Sequence, residues 1–182
     1  MAQRHDEITA AGGRVVGITI DSPLQNSALI SKLDLPFPIL SDPDRSGAIT
    51  PFGVADEKDE RIIARPATVI VDSSGSEIFR FVSRDFADRI TEDSAVEALA
   101  GLGLGPTTQE APQLGPASPG PRVLPIEHLR PYYRGARFAV IALSRRFPEI
   151  DEEAAAYIDE LDRYTESVIE LYRRQRASAE DS

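Results

Sequence analysis

The sequence predicts an α/β domain followed by a helical hairpin, and three observations lead to this prediction. Residues 1–104 alternate helical and extended patterns in the order helix, strand, helix, β-hairpin, helix. Residues 105–121 are rich in glycine and proline and hold almost no large apolar side chain, so we expect a linker there. Residues 122–182 carry two long helical patterns, which predict the hairpin.

Composition excludes several classes of function. The chain holds 30 acidic and 20 basic residues, and its net charge of −10 disfavours binding to nucleic acid or to an anionic membrane. No apolar run is long enough to span a bilayer and no apolar leader is visible, so the expected location is cytoplasmic. Cysteine is absent, which excludes disulfides, thiolate metal sites and a cysteine nucleophile within these 182 residues.

The first half of the α/β region contains clear boundary signals. Residues 1–11 look like the end of a helix that stops at Gly12. The β-branched run at residues 15–20 has the form of a buried parallel strand. Ser22 then fits a helix N-cap, with Pro23 at the first helical position.

Residues 62–82 predict a β-hairpin whose turn contains Gly75. Arg65 and Pro66 stand directly before its first strand. Because proline lacks the amide hydrogen that a central strand donates, Pro66 belongs at a strand's first residue or in a special turn, for which a cis bond is one option. Arg65 beside such a turn could face an anionic or polar ligand; the alternative is an ordinary surface cation.

The remaining segments are a polar turn at 85–89, a helix at 91–102 and two helices at 127–147 and 151–176. A heptad seam in the last of these predicts that the two long helices pack together, aided by a basic first helix and an acidic second one. The expected inward side chains of the first long helix are Leu129, Tyr132, Ala136, Val140, Leu143 and Phe147.

Four segments, in this order and spacing, resemble a known family. They read VVGITIDSP at 15–23, LPFPILSDPD at 35–44, FGV at 52–54 and IARPATVIVD at 63–72. Together they resemble a peroxiredoxin of the alkyl hydroperoxide reductase/thiol-specific antioxidant type, a redoxin family. The resemblance covers about the first hundred residues.

This resemblance implies a thioredoxin-like fold and thiol-dependent reduction of hydrogen peroxide or organic hydroperoxides, without a cofactor. In the family a cysteine at the start of a helix is the nucleophile, and its pKa is lowered by the helix dipole and an arginine. Arg65 matches that arginine, so the resemblance assigns it a catalytic and substrate-binding role. Pro66 falls near the family's cis-proline position and would help to bind the substrate.

The family's Pro-x-x-x-Thr-x-x-Cys motif would precede Met1, so we expect an amino-terminally truncated and incomplete thioredoxin-like fold. Its first strands and the head of its catalytic helix would be missing. In the complete fold, a central strand lies between the strands that correspond to residues 15–20 and 67–71. Without it, either these two strands close on each other or another segment fills the gap, because unpaired buried amides cost about 1–3 kcal/mol.

Two hypotheses of function stay open. The first is a peroxiredoxin-like oxidoreductase whose thiol lies outside this chain; its partners would be a peroxide and a thiol reductant only if that missing segment exists. The second is a non-catalytic redoxin-fold module that binds or forms a homo-oligomer through the helical hairpin. His5 and His128 lie far apart with no ligand spacing around them, so no metal site is predicted.

Overall fold

The structure is a computed structural model that describes residues 1–84 and 92–180. The chain divides into two compact units, residues 1–120 and residues 121–182. The polar turn predicted at 85–89 lies outside the described residues. None of the helices in the described part of the chain combines the length and apolar character needed to cross a membrane.

The described part of the first unit contains three α-helices. Helix α1 (His5–Ala10) follows a 3₁₀ turn and ends where Gly12 takes a φ of 87°. Helix α2 (Pro23–Leu33) starts as predicted: the Ser22 hydroxyl accepts the Gln25 amide, and the Gln25 side chain accepts the Ser22 amide, which completes a capping box. Helix α3 (Glu92–Ala100) ends close to the predicted boundary.

In residues 1–84 and 92–180, four strands form two separate pairs. Strand β1 (Gly17–Thr19) runs parallel to β2 (Ile39–Ser41), with Gly17 opposite Ile39. Strand β3 (Ala67–Val71) is antiparallel to β4 (Glu77–Val82), and the predicted turn between them places Gly75 at a φ of 84°. Across the described residues, no strand pairing joins one pair to the other.

The prediction of a buried strand at residues 15–20 is wrong in its burial. Val16 is 49% exposed and Ile18 is 37% exposed. Among the described residues β1 pairs with β2 alone, so no strand on its other side helps to cover these side chains. Strands β1 and β3, between which we expected a gap, do not pair with each other. Instead, Gln109 from the segment predicted as a linker forms hydrogen bonds with the backbone of Val15.

Buried polar side chains tie the β1–α2–β2 region together. Asn26 is 2% exposed; it accepts a hydrogen bond from the Thr19 hydroxyl at 2.9 Å and donates one to the Ser41 hydroxyl at 3.1 Å. Asp42, which follows β2, accepts the amide hydrogens of residues 47, 48 and 49, each at 2.9 Å. Both residues therefore fix the carboxyl ends of the parallel strands against the helices and turns around them.

The second unit consists of α4 (Ile126–Ser144), a 3₁₀ turn (Pro148–Ile150) and α5 (Asp151–Glu180). The two helices pack on each other as predicted, with Ala154 5% exposed and Leu161 fully buried. Pro131 lies inside α4, where it cannot donate the backbone hydrogen bond of a helical residue.

The predicted inward face of α4 is partly wrong. Tyr132, Leu143 and Phe147 are 55%, 47% and 48% exposed. The ring that meets the second helix is Tyr133, whose centroid lies 5.4 Å from that of Tyr164. A helix turns about 100° per residue, so a contact face centred on Tyr133 moves Tyr132 to the edge of the interface.

Candidate functional site

The segment before β3 is held in place by a short antiparallel contact. Ala55 and Ala64 form an isolated β-bridge, and the Arg65 amide donates to the Val54 carbonyl at 2.7 Å. The bridge closes the charged loop between Ala55 and Ala64. Arg65 therefore lies next to the turn that ends at Val54. That turn is anchored in the core, because Ile49 is 2% exposed and Val54 is 8% exposed.

The Arg65 side chain is bound on one side only. Its Nη2 donates to the Gly53 carbonyl at 3.3 Å, and Gly53 has a φ of 62°. Its Nε is buried and has no hydrogen-bond partner among the residues that the structure describes. Among the described residues, no carboxylate lies within ion-pair distance of this guanidinium. A buried donor without an acceptor costs about 1–3 kcal/mol, so this N–H is suited to an acceptor that the described residues do not provide.

Pro66 connects this arginine to the hairpin. Its carbonyl accepts the Ser83 amide at 2.8 Å, which extends the β3–β4 pairing by one step beyond Val82. Strand β3 begins at Ala67, so proline stands directly before the first strand residue, where its missing amide hydrogen is not needed. The cis option for Pro66 is wrong, since no peptide bond within the described ranges is cis.

Arg80 is a second arginine at the turn that ends at Val54, and it was not predicted from the sequence. It lies on β4 opposite Val69, and its Nη1 donates to the Phe52 carbonyl at 2.7 Å. Its Nε also donates to Glu77 at 2.8 Å, and this carboxylate raises the pKa of Arg80. Arg80 and Arg65 thus hold the neighbouring carbonyls of residues 52 and 53. An arginine between two phenylalanines, Phe79 and Phe81, in the middle of the strand was the available signal.

The other candidates from the sequence, His5 and His128, lie in different units. His5 is buried, and its Nε2 lies 3.1 Å from the Gln109 side-chain oxygen. His128 lies on α4 in the other unit. Within residues 1–84 and 92–180 no group of three or more potential ligands is placed to hold a metal ion.

The described residues form an α/β domain with a parallel strand pair and its connecting helix, an antiparallel hairpin entered through an arginine and a proline, and a helix after the hairpin. Carboxyl-terminal helices follow this domain.

Sequence comparison names the family. Residues 1–76 match the model of the AhpC/TSA family, and this match contains both Arg65 and Pro66. Residues 1–76 are therefore consistent with a peroxiredoxin-like protein of the redoxin family, as the segments at 15–23 and 63–72 predicted. No curated protein matches the chain.

Proposed function

We propose that this chain takes part in the thiol-dependent reduction of peroxides. It provides the arginine of the peroxide-binding site. In that chemistry a thiolate attacks one peroxide oxygen, the O–O bond breaks, and the leaving hydroxide or alkoxide takes up a proton from water, so the products are a sulfenic acid and water or an alcohol. The chain has no cysteine, so the thiolate must come from outside these 182 residues. Arg65 contributes a positive charge and N–H donors for the thiolate and for the oxygen that leaves.

One observation carries this proposal: the Arg65 Nε is a buried donor without an acceptor. The bond from Nη2 to the Gly53 carbonyl and the bond from the Arg65 amide to the Val54 carbonyl fix the side chain at its base. A fixed guanidinium with a free N–H can stabilise a developing negative charge without reorganising first. The family match over residues 1–76 supports the same chemistry.

The first test is peroxide consumption by the 182-residue chain with thioredoxin or dithiothreitol as reductant. We expect no turnover above that of the reductant alone, because no thiol is present. The second test uses the chain preceded in frame by a segment with the Pro-x-x-x-Thr-x-x-Cys motif. We expect saturable turnover there, reduced at least about tenfold by Arg65→Gln, since a charge-assisted hydrogen bond contributes about 1.5–3 kcal/mol.

The matched control for Arg65→Gln is Arg14→Gln, which removes an exposed arginine from the same unit. Equal losses in the two variants would contradict the role of Arg65. So would turnover by the cysteine-free chain, or a cysteine-bearing chain that folds and stays inactive.

The second hypothesis, a non-catalytic module, has weaker support. Exposed apolar side chains on the hairpin, such as Tyr132 and Leu143, are compatible with a homo-oligomer. The family match adds nothing in its favour. We propose the oligomer only as an addition to the redox function, and a cytoplasmic location stays a prediction; sedimentation velocity would test the oligomer.

A further inference from the structure

Helix α4 presents three arginines to one cleft of the second unit. Arg130, Arg134 and Arg137 follow each other at spacings of four and three residues, which places them on one side of the helix. They line a cleft of about 290 Å³ together with Phe138 of α4 and two residues of α5, Asp162 and Thr165. We propose that this cleft binds a small phosphate-bearing anion.

The charges of the lining support an anionic ligand. Asp162 is the one acidic residue in the lining, and the Arg137 Nε lies 3.0 and 3.1 Å from its two carboxylate oxygens. This ion pair neutralises both groups. No carboxylate of the described residues lies within ion-pair distance of Arg130 or Arg134. Two of the three arginines in the lining therefore have no ion-pair partner among the described residues.

The geometry of the donors also fits a phosphate. The Cζ of Arg134 lies over the Phe138 ring, 5.5 Å from its centroid, which is a cation–π contact. A guanidinium directs its N–H groups outward in its own plane, where two of them can bind two phosphate oxygens. Thr165 donates its hydroxyl hydrogen to the Leu161 carbonyl at 2.8 Å, so the arginines are the donors available to the anion.

The size of the cleft and the charge of the chain narrow the choice of ligand. About 290 Å³ is at the lower limit for a small-molecule pocket and accommodates a phosphate or pyrophosphate group. A long polyanion would also meet the net charge of −10 of the whole chain. A small, multiply charged phosphate compound gains the local attraction of the arginines without that long-range repulsion.

The test is a titration of the ¹⁵N-labelled full chain with inorganic phosphate and then with pyrophosphate, at low ionic strength, followed by NMR. We expect saturable shifts centred on residues 130–138 and 162–165, with tighter binding of pyrophosphate. Arg134→Gln should weaken binding about 3- to 10-fold, and Asp162→Asn should strengthen it by removing the negative charge from the lining. Arg145→Gln is the control, because Arg145 is an exposed arginine just beyond α4 and outside the cleft.

Three results would overturn the proposal. The first is a set of non-saturating shifts spread over all arginines, which indicates only ionic-strength effects. The second is an equal loss of binding in Arg145→Gln and Arg134→Gln, with helicity unchanged in both. The third is binding to vesicles that contain phosphatidic acid without any response to free phosphate or pyrophosphate, which would identify a lipid surface as the ligand.

Discussion

The side-chain amide of Gln109 pairs with the backbone of Val15 as a neighbouring strand would. The Val15 amide donates to the Gln109 Oε1 at 2.8 Å, and the Gln109 Nε2 donates to the Val15 carbonyl at 2.6 Å. The same oxygen lies 3.1 Å from the His5 ring. One side chain from a glycine- and proline-rich segment thus satisfies both backbone groups at the entrance to the open edge of β1.

Replacement of Gln109 should destabilise the first unit. In Gln109→Ala both backbone groups of Val15 lose their partner, so we expect a loss of about 1–3 kcal/mol in the free energy of unfolding. Urea unfolding followed by the NMR signals of β1 and α2 measures this loss.

Gln113→Ala is the control for this change, because Gln113 is an exposed glutamine of the same segment. We expect less than about 0.5 kcal/mol there. An equal effect of the two substitutions would show that Gln109 does not stabilise β1.

Asp42 should make the first unit sensitive to acid. The amides of Ile49, Gly47 and Ala48 donate to its carboxylate and hold the pKa of Asp42 below its ordinary value. A lowered folded-state pKa means that the stabilisation is complete above the unfolded pKa of about 4 and is lost as the pH falls through the folded pKa.

Asp42→Asn tests this dependence, because the amide cannot accept all three hydrogen bonds and does not titrate. We expect a lower melting temperature than that of the unchanged chain at pH 7, and a smaller difference between the two proteins at pH 2. Thermal melts at a series of pH values measure it; parallel curves for the two proteins would contradict the assignment.

Leu161 should contribute more to the hairpin than any exposed leucine. It is fully buried between α4 and α5, so Leu161→Ala leaves a cavity and should cost about 2–5 kcal/mol. Leu143→Ala, at a position that is 47% exposed, should cost less than about 1 kcal/mol.

The chain offers a selective probe for this measurement. Its five tyrosines all lie between residues 132 and 172, and it has no tryptophan, so intrinsic fluorescence reports on the second unit alone. Similar unfolding midpoints for the two leucine variants would place the core of the hairpin elsewhere.

A matched pair of substitutions also tests the Ser22 cap. Ser22→Ala removes the acceptor of the Gln25 amide at the start of α2 and should cost about 1 kcal/mol. Ser31→Ala, an exposed change inside the same helix, should be neutral or slightly stabilising, because alanine has the higher helix propensity. Thermal unfolding followed by the NMR signals of α2 compares the two; a larger loss for Ser31→Ala would argue against the cap.

Features with a local cause were predictable from the sequence. The Ser22 cap, the turn at Gly75 and the position of Pro66 each depend on residues within a few positions of one another. The contact face of α4 was off by one position, because the periodicity fits Tyr132 nearly as well as Tyr133, and only the partner helix selects between them.

Contacts between distant segments could not be predicted. Gln109 lies 94 residues from Val15 in a segment without regular structure, so no periodic pattern marks it. Part of the candidate site could be predicted from the sequence, since Arg65 was recognised from the residues around it. Its unpartnered Nε was not, because that depends on how the turn at Gly53 packs against the side chain.

The separation of β1–β2 from β3–β4 has a consequence for how the first unit opens. A continuous sheet exchanges its amide hydrogens as one cooperative body, whereas two strand pairs without a shared ladder can open one at a time. Native-state hydrogen exchange should therefore divide the strand amides into two groups with different opening free energies. Arg65 stands beside the β3–β4 group, so its surroundings can loosen while the parallel pair stays closed.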